Sequence, residues 1–402
     1  MNIRLRPFYG VLVLAVLLTF TFVENLPSTE PTPEPSLVPS RPPTSMVLKV
    51  DRYGKVRHAA RKEQVYTLTP WKEIGFPELT NELEIALKNQ LRLLEMSSLK
   101  DGTAAGNLRL THDQLRETIE IILARIKDDP SLVSQYLEAW QVNGADGRGN
   151  VYFTGYFTPV LEVSSKRTPK YRYPIYAYPA DLAKQGRLPS RAEIDGLGLL
   201  EGKGLELAWA SNRLDIYIMQ LQGSGYVRFV DTGEQMLFSY AGENGHPYRN
   251  IQRFFTKRDD LSLNNLSLTG MGRWMRENPH LADSVLFYNP SYTFFKANKG
   301  LVKGSGQVPL MEDISVAADA RYFPPGSVLL AAFPVIDNGA VVRHEFRLLL
   351  PQDVGGAIRG KGHLDVYCGI GKQAQKKASG LHHYGQVWLL LPKDDEEVAM
   401  LR

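Results

Sequence analysis

From residue 151 onward the sequence breaks into short apolar or aromatic runs punctuated by Gly, Asp and Asn. They are "VYFTGYFTPVLEV", "LDIYIMQLQ", "YVRFV", "QMLFSYA", "SVLLAAFPVI", "VVRHEFRLLL" and "QVWLLL". Runs of this length between turn residues read as strands. At this spacing they suit β-barrels rather than a βαβ sheet. Asp231-Thr232-Gly233 and Asp337-Asn338-Gly339 have the composition of hairpin turns. Residues 82 to 140 read instead as helical, because Leu83, Leu87, Leu91 and Leu94 share one face, as do Leu115, Ile119, Ile122 and Ile126. Thr111 with Gln114 forms a capping-box start, and Asp129-Pro130 opens a further helix. The expectation is a mainly β protein with N-terminal helices.

A chain of 402 residues has room for two domains of ordinary size. Its net charge of +4 is small and its Lys and Arg are scattered, which speaks against nucleic-acid binding. Arg4 and Arg6 precede an apolar run from Pro7 to Val23, the layout of a cleaved export signal or a retained membrane anchor. We expect residues 1–25 to be that segment and 26–45, rich in Pro, Ser and Thr, to be an extended tether. The single cysteine, Cys368, permits no intrachain disulfide, and no cysteine follows the apolar run to carry a lipid.

Several familiar sites fail on spacing. "EGKG" lacks the flanking residues of a phosphate loop, and "QGSGYV" places Ser224 outside a hydrolase elbow. His382 and His383 are adjacent, which on a strand sends them to opposite faces and argues against joint zinc ligation. What remains is three acids, Asp319, Asp353 and Asp365. An Asp beside Gly commonly caps a turn, which suits Asp353. Asp365 differs, because it sits in a strand-like run within "GGAIRGKGHLDVYCGIG", flanked by Leu364, Val366 and Tyr367. A carboxyl so placed beside a second acid has a raised pKa, as a general acid for glycosidic cleavage requires.

The stretch "DVGGAIRGKGHLDVYCGIG" is similar to the three-aspartate (3D) domain, whose first acid corresponds to Asp319 ahead of "FPPGSVL". "FTGYFTPVLEVS", "YPIYAYP", "ELAWASNRLDIYIMQLQGSGYVRFVDTGE", "SYAGENGHPYRNI" and "NPSYTFF" add to it. Together they resemble the membrane-bound lytic murein transglycosylase A family over roughly residues 60 to 392.

The resemblance implies a double-psi β-barrel, built from about 46–158 and 291–395, with a second β-barrel inserted at about 159–290 and a glycan groove between them. It implies cleavage of the β-1,4 bond between N-acetylmuramic acid and N-acetylglucosamine, leaving a 1,6-anhydro sugar. Asp365 would be the single acid/base, Asp353 would set its pKa and orientation, and Asp319 would be structural. Thr154, Gly155, Tyr156 and Thr158 match the motif lining one side of the groove, and Gln222, Gly223, Ser224 and Gly225 the motif on the other. Tyr156 is expected to stack on a sugar or to join the core, and Tyr292 and Trp388 carry the same two readings. Gly355, Gly356, Gly360 and Gly362 are expected to be bare backbone along which a sugar chain approaches. The implied partner is peptidoglycan glycan strands, with a cell-wall synthesis or hydrolysis complex left open and an envelope location. No cofactor and no metal are implied. Two features depart from the family: the lipoprotein-type N-terminus is absent, and Cys368 stands near the acid, where it is expected to alter the groove or to oxidise. The rival reading is a non-catalytic glycan-binding or wall-loosening double-psi protein.

Overall fold

The computed structural model describes residues 64–97, 103–256 and 268–393. The apolar run at the N-terminus, the Pro/Ser/Thr tether and the acidic tail after Lys393 lie outside the described residues. Among the described residues no helix is long and apolar enough to cross a membrane. The chain divides into two units: one is Phe157–Val302 with Ile370–Gln375, and the other holds the remaining described residues.

In the latter unit β1 (Tyr66–Thr69) precedes the helix Asn81–Met96, whose N-terminus is capped by Thr80 accepting from the Leu83 N–H. A hairpin of β2 (Thr103–Ala105) and β3 (Leu108–Leu110) interrupts the helical stretch. The helix His112–Ile121 opens on the expected capping box, with Gln114 N–H donating to Thr111 Oγ1 and Thr111 N–H to Gln114 Oε1. Asp129-Pro130 opens a short helical stretch as expected, a 3-10 turn over Pro130–Leu132 that runs straight into the four-residue helix Val133–Tyr136. The following β4 (Leu137–Val142) is a strand, so the helical reading of 82–140 extends too far. Pairing with β1 on one side and β16 on the other outweighs local helical spacing there.

The chain continues through β5 (Val151–Thr158) to β6 (Val160–Ser164), β7 (Tyr173–Tyr176), β8 (Glu206–Ala210), β9 (Ser224–Phe229), β10 (Gln235–Glu243) and β11 (Thr293–Asn298). It ends with β12 (Ser315–Ala317), β13 (Leu329–Asp337), β14 (Ala340–Asp353), β15 (His363–Ile370), the helix Gly371–Gly380 and β16 (His382–Pro392). Both expected hairpin turns form. The β13–β14 turn has Asn338 and Gly339 at φ 49° and 83°, the paired left-handed residues of a type I′ turn.

The larger sheet runs β1-β4-β16-β13-β14-β12-β15-β5, and an additional β16–β5 pairing closes its last six strands into a ring. β16 makes this closure by dividing its length: His382–Gly385 pair with β5, and Trp388–Pro392 with β4. Both faces of the central strands are buried. Leu329, Ala331 and Leu389 point into one cluster with Phe153, Leu364 and Val366. Their alternates Leu330, Ala332, Leu348 and Leu390 pack with Leu87, Ile119 and Ile122 of the helical segments. That double burial is why "SVLLAAFPVI" reads as an unbroken apolar run.

The smaller sheet runs β11-β10-β9-β6-β8-β7, and a bridge from Ala177 to Phe295 joins its edges. One run expected as a strand is a helix here: "LDIYIMQLQ" lies in Arg213–Gln222. Asn212 accepts from the Leu214 N–H at its start, and Gly223, at φ 76°, ends it. Ile216 and Met219 pack into the sheet's core while Leu214, Tyr217 and Leu221 pack into a second cluster. A helix buried on two sides shows little polar periodicity, so its sequence imitates a buried strand.

Candidate active site

Period-two alternation builds the site. In β15, Leu364 and Val366 enter the core, which leaves His363, Asp365 and Tyr367 on the opposite face. In the neighbouring β5, Val151 and Phe153 enter the same core and leave Tyr152, Thr154 and Tyr156. The two rows meet rung by rung. The Tyr152 and His363 rings lie 5.6 Å apart, and the Tyr156 and Tyr367 rings 5.3 Å. Between them the Thr154 hydroxyl donates to Asp365 Oδ1 at 2.7 Å.

The second acid arrives by register. Ala317 of β12 lies opposite Asp365 of β15 on one side and opposite Asp353 of β14 on the other. The carboxylates therefore flank one strand, their backbones about 10 Å apart at two interstrand spacings. Their surroundings differ. Asp353 Oδ1 accepts from the Ser305 and Val354 N–H groups at 2.8 and 2.9 Å, and its Oδ2 from the Tyr156 hydroxyl at 3.1 Å. A Cβ on Gly304 would come within 3.0 Å of Asp353, so only glycine lets the 304–305 segment lie against the acid. Asp365 has Thr154 on Oδ1, while its buried Oδ2 has no partner among the described residues.

Burial raises the pKa of both acids. For Asp353 the three donors oppose the rise. For Asp365 burial dominates, the Thr154 hydrogen bond opposes it and the Asp353 charge adds to it, so the carboxyl is pushed up to about 8. Two acids in one site thus have unlike environments: several donors favour the charged form of Asp353, whereas Asp365 has one such donor and is left neutral near pH 7. His363 Nε2 stands 2.8 Å from Thr154 Oγ1, and burial lowers its pKa to about 4, so the imidazole is neutral. With Thr154 giving its single proton to Asp365, the imidazole Nε2–H donates to the hydroxyl oxygen.

Comparison with known proteins gives the same direction. Residues 152–296 match the MltA specific insert domain and 314–391 the 3D domain. The membrane-bound lytic murein transglycosylase A of Escherichia coli is 43% identical over 258 residues, 63% of this chain and 69% of that protein. The protein of that name from Vibrio cholerae is 34% identical over 335 residues, 80% of this chain and 88% of the relative. The chain belongs to the membrane-bound lytic murein transglycosylase A family. The crystal structure of the E. coli family member with bound chitohexaose superposes with a TM-score of 0.66 at 36% identity, covering 81% of this chain and 94% of that one. The crystal structure of a membrane-bound lytic murein transglycosylase from Agrobacterium tumefaciens, at 24% identity and TM-score 0.68 over 82% of this chain and 98% of that one, shares the fold.

Of the two readings given for the aromatic candidates, the core one holds. Tyr156 is 3% exposed and its hydroxyl serves Asp353, so its ring is not open to a sugar face. Tyr292 and Trp388 are core residues of separate clusters. A Cβ on Gly155 would fall 2.7 Å from Ala378 Cα and 2.8 Å from Cys368 Sγ, so this glycine permits close packing. In the other unit, Thr158 is buried, Gln222 Oε1 accepts from the Phe157 N–H at 3.1 Å, and Gly223 caps its helix. Ser224 pairs with Ser239, and Gly225 packs on Met219 and Pro159.

Two of the frame glycines, Gly355 and Gly362, need a correction. A Cβ on Gly362 would stand 2.5 Å from the Ala145 backbone nitrogen, and one on Gly355 2.6 Å from Ile358. Both glycines admit the protein's own chain rather than a sugar. Gly360, at φ 83°, carries the N–H that donates to Asp319 Oδ2 at 2.8 Å. Arg321 also bonds Asp319 through its backbone N–H and guanidinium. Burial works against the Asp319 anion, yet these donors together hold its pKa below the usual carboxylate value. Cys368 is 1% exposed, and burial raises its thiol pKa, so it is a packed thiol rather than an oxidisable thiolate. The His382 and His383 rings stack at 5.5 Å instead of facing apart, because β16 begins at His382. His363 escaped the sequence reading, although its place two residues before Asp365 puts both on one strand face.

Proposed function

We propose that this chain is a peptidoglycan lytic transglycosylase that cleaves the β-1,4 bond between N-acetylmuramic acid and N-acetylglucosamine and leaves a 1,6-anhydromuramyl product. The observation that carries this reading is Asp365, wholly buried, with Thr154 on one oxygen and the other bare. We read the six-stranded ring around it as the double-psi β-barrel.

Protonated Asp365 donates from Oδ2 to the glycosidic oxygen as the bond from that oxygen to C1 breaks. The carboxylate so formed, held by the Thr154 hydroxyl, accepts the proton of the muramyl C6 hydroxyl as its oxygen bonds C1. The acid ends protonated as it began, and no water is consumed. The substrate hydroxyl takes the place of the water of an inverting glycosidase and the second carboxylate of a retaining one. Its attack is intramolecular, which removes most of the entropic cost of bringing a nucleophile to C1. Burial keeps Asp365 protonated, and the neighbouring Asp353 carboxylate charge adds to that effect. Asp365 has no exposed surface, so glycan binding has to uncover Oδ2.

The family name and the chitohexaose held by the E. coli relative support a glycan substrate and an envelope location. The test is incubation of the purified protein with murein sacculi, followed by mass spectrometry of the soluble products. Release of 1,6-anhydromuropeptides that Asp365→Asn abolishes is expected. Products with a reducing-end muramic acid would point to water as nucleophile and sink the scheme. Binding of sacculi without release would favour a non-catalytic glycan-binding protein.

A further inference from the structure

The unit that carries the smaller sheet contains a polar cavity of about 320 Å³ which the proposed chemistry does not use. Arg167, Arg172 and Arg213 line it together with Asp195, Glu201 and Asp283. Three cations face three acids, so the cavity has no net charge and favours neither a plain anion nor a plain cation. Part of this set is internally committed. Arg213 pairs with Asp283 and donates to the Asp195 carbonyl, and Asp195 Oδ2 lies 3.6 Å from Arg191 Nη1 beneath the floor. Arg191 is fixed in turn by Gln220 Oε1 at 2.6 Å and the Ser291 carbonyl at 2.7 Å.

What is left over points to a ligand. Among the described residues Arg167, Arg172 and Glu201 make no ion pair, although all three line the same opening. Arg172 is held in place by stacking over Tyr173, with its Cζ 5.0 Å from the ring centre, and by donating to the Tyr173 hydroxyl at 2.8 Å. At the wall, Tyr176 is 1% exposed and its hydroxyl has no hydrogen-bond partner among the described residues. A buried hydroxyl left unbonded is costly, and a bound polar group would recover that cost.

We propose that this cavity binds a zwitterionic amino-acid group, with its carboxylate on the Arg167 and Arg172 guanidiniums and its ammonium on Glu201. Tyr176 supplies a further hydrogen bond. The volume admits a single residue-sized group rather than a long peptide. If the chain acts on peptidoglycan, as proposed above, the peptide stems of that polymer supply such groups at their uncrosslinked ends. The inference about the ligand's source rests on that reading, whereas the zwitterion chemistry does not.

Isothermal titration calorimetry with three matched probes tests the inference. 2,6-Diaminopimelic acid carries both charges at each end, pimelic acid only the carboxylates, and 1,5-diaminopentane only the ammoniums. Diaminopimelic acid is expected to bind at least about tenfold more tightly than either single-charge probe. Arg167→Gln, which removes an exposed side chain without an ion pair, is expected to weaken that binding by about tenfold. Glu201→Gln should do the same from the ammonium side. Equal binding of pimelic acid, or binding unaffected by both variants, overturns the proposal, as does no binding of any probe. The sacculus digest is read in parallel. Cleavage without probe binding removes this site and leaves the catalytic reading, and probe binding without cleavage does the reverse.

Discussion

Replacing Asp365 by Asn should stabilise the protein while abolishing its activity, and the stabilisation should grow with pH. The carboxyl is buried and held up to about 8, against 3.8 for an unburied Asp. Between those values the folded chain keeps a proton that the unfolded chain has released, so wild-type stability falls as pH rises through this window. From pH 4 to pH 7 the penalty spans about three pH units at about 1.4 kcal/mol each, on the order of 4 kcal/mol. It levels off above pH 8. Asn cannot ionise, and its Oδ1 still accepts from Thr154 while its amide takes the place of the protonated oxygen. Urea unfolding of both proteins at pH 4.5, 7 and 8.5 measures the difference directly. The two should lie within about 1 kcal/mol at pH 4.5, with Asn ahead by about 4 kcal/mol at pH 7, on the order of 5 °C in a thermal scan for a chain of this length. A stability difference that stays constant across the three pH values would refute a neutral buried acid at position 365.

Three further outcomes follow from the same geometry. Thr154→Val removes the hydrogen bond that favours the Asp365 anion, so the alkaline limb of the kcat/KM profile should move to higher pH; an unmoved limb argues that Thr154 does not touch the acid. Tyr156→Phe strips a donor from Asp353, raises that pKa and weakens the charge pressing on Asp365, so the limb should move the opposite way. Parallel shifts in the two variants would show that the carboxyls are not coupled. Gly362→Ala forces a methyl to within 2.5 Å of the Ala145 backbone and should lower stability by about 1–3 kcal/mol in denaturant melts. A neutral effect would reopen the view of Gly362 as a sugar-facing residue.

The parts governed by short-range chemistry were legible before any fold was known. The capping box at Thr111, the Asn338-Gly339 turn and the alternation in "HLDVY" and "YFTGY" depend on neighbours a few residues apart, and all of them form as read. That alternation alone sets Asp365 opposite the core. It is also enough to place His363 beside it. Where both faces of an element are buried, local pattern loses its meaning, and so "LDIYIMQLQ" passed for a strand. The rest depends on contacts between distant parts of the chain. Thr154 reaches Asp365 from 211 positions away, and the β12 register sets Asp353 and Asp365 on either side of Ala317. Which carboxyl is dressed with donors and which is bare follows from those long-range contacts, and so does the pKa. Desolvation and hydrogen bonding belong to the folded surroundings of a side chain, and no count of its sequence neighbours contains them.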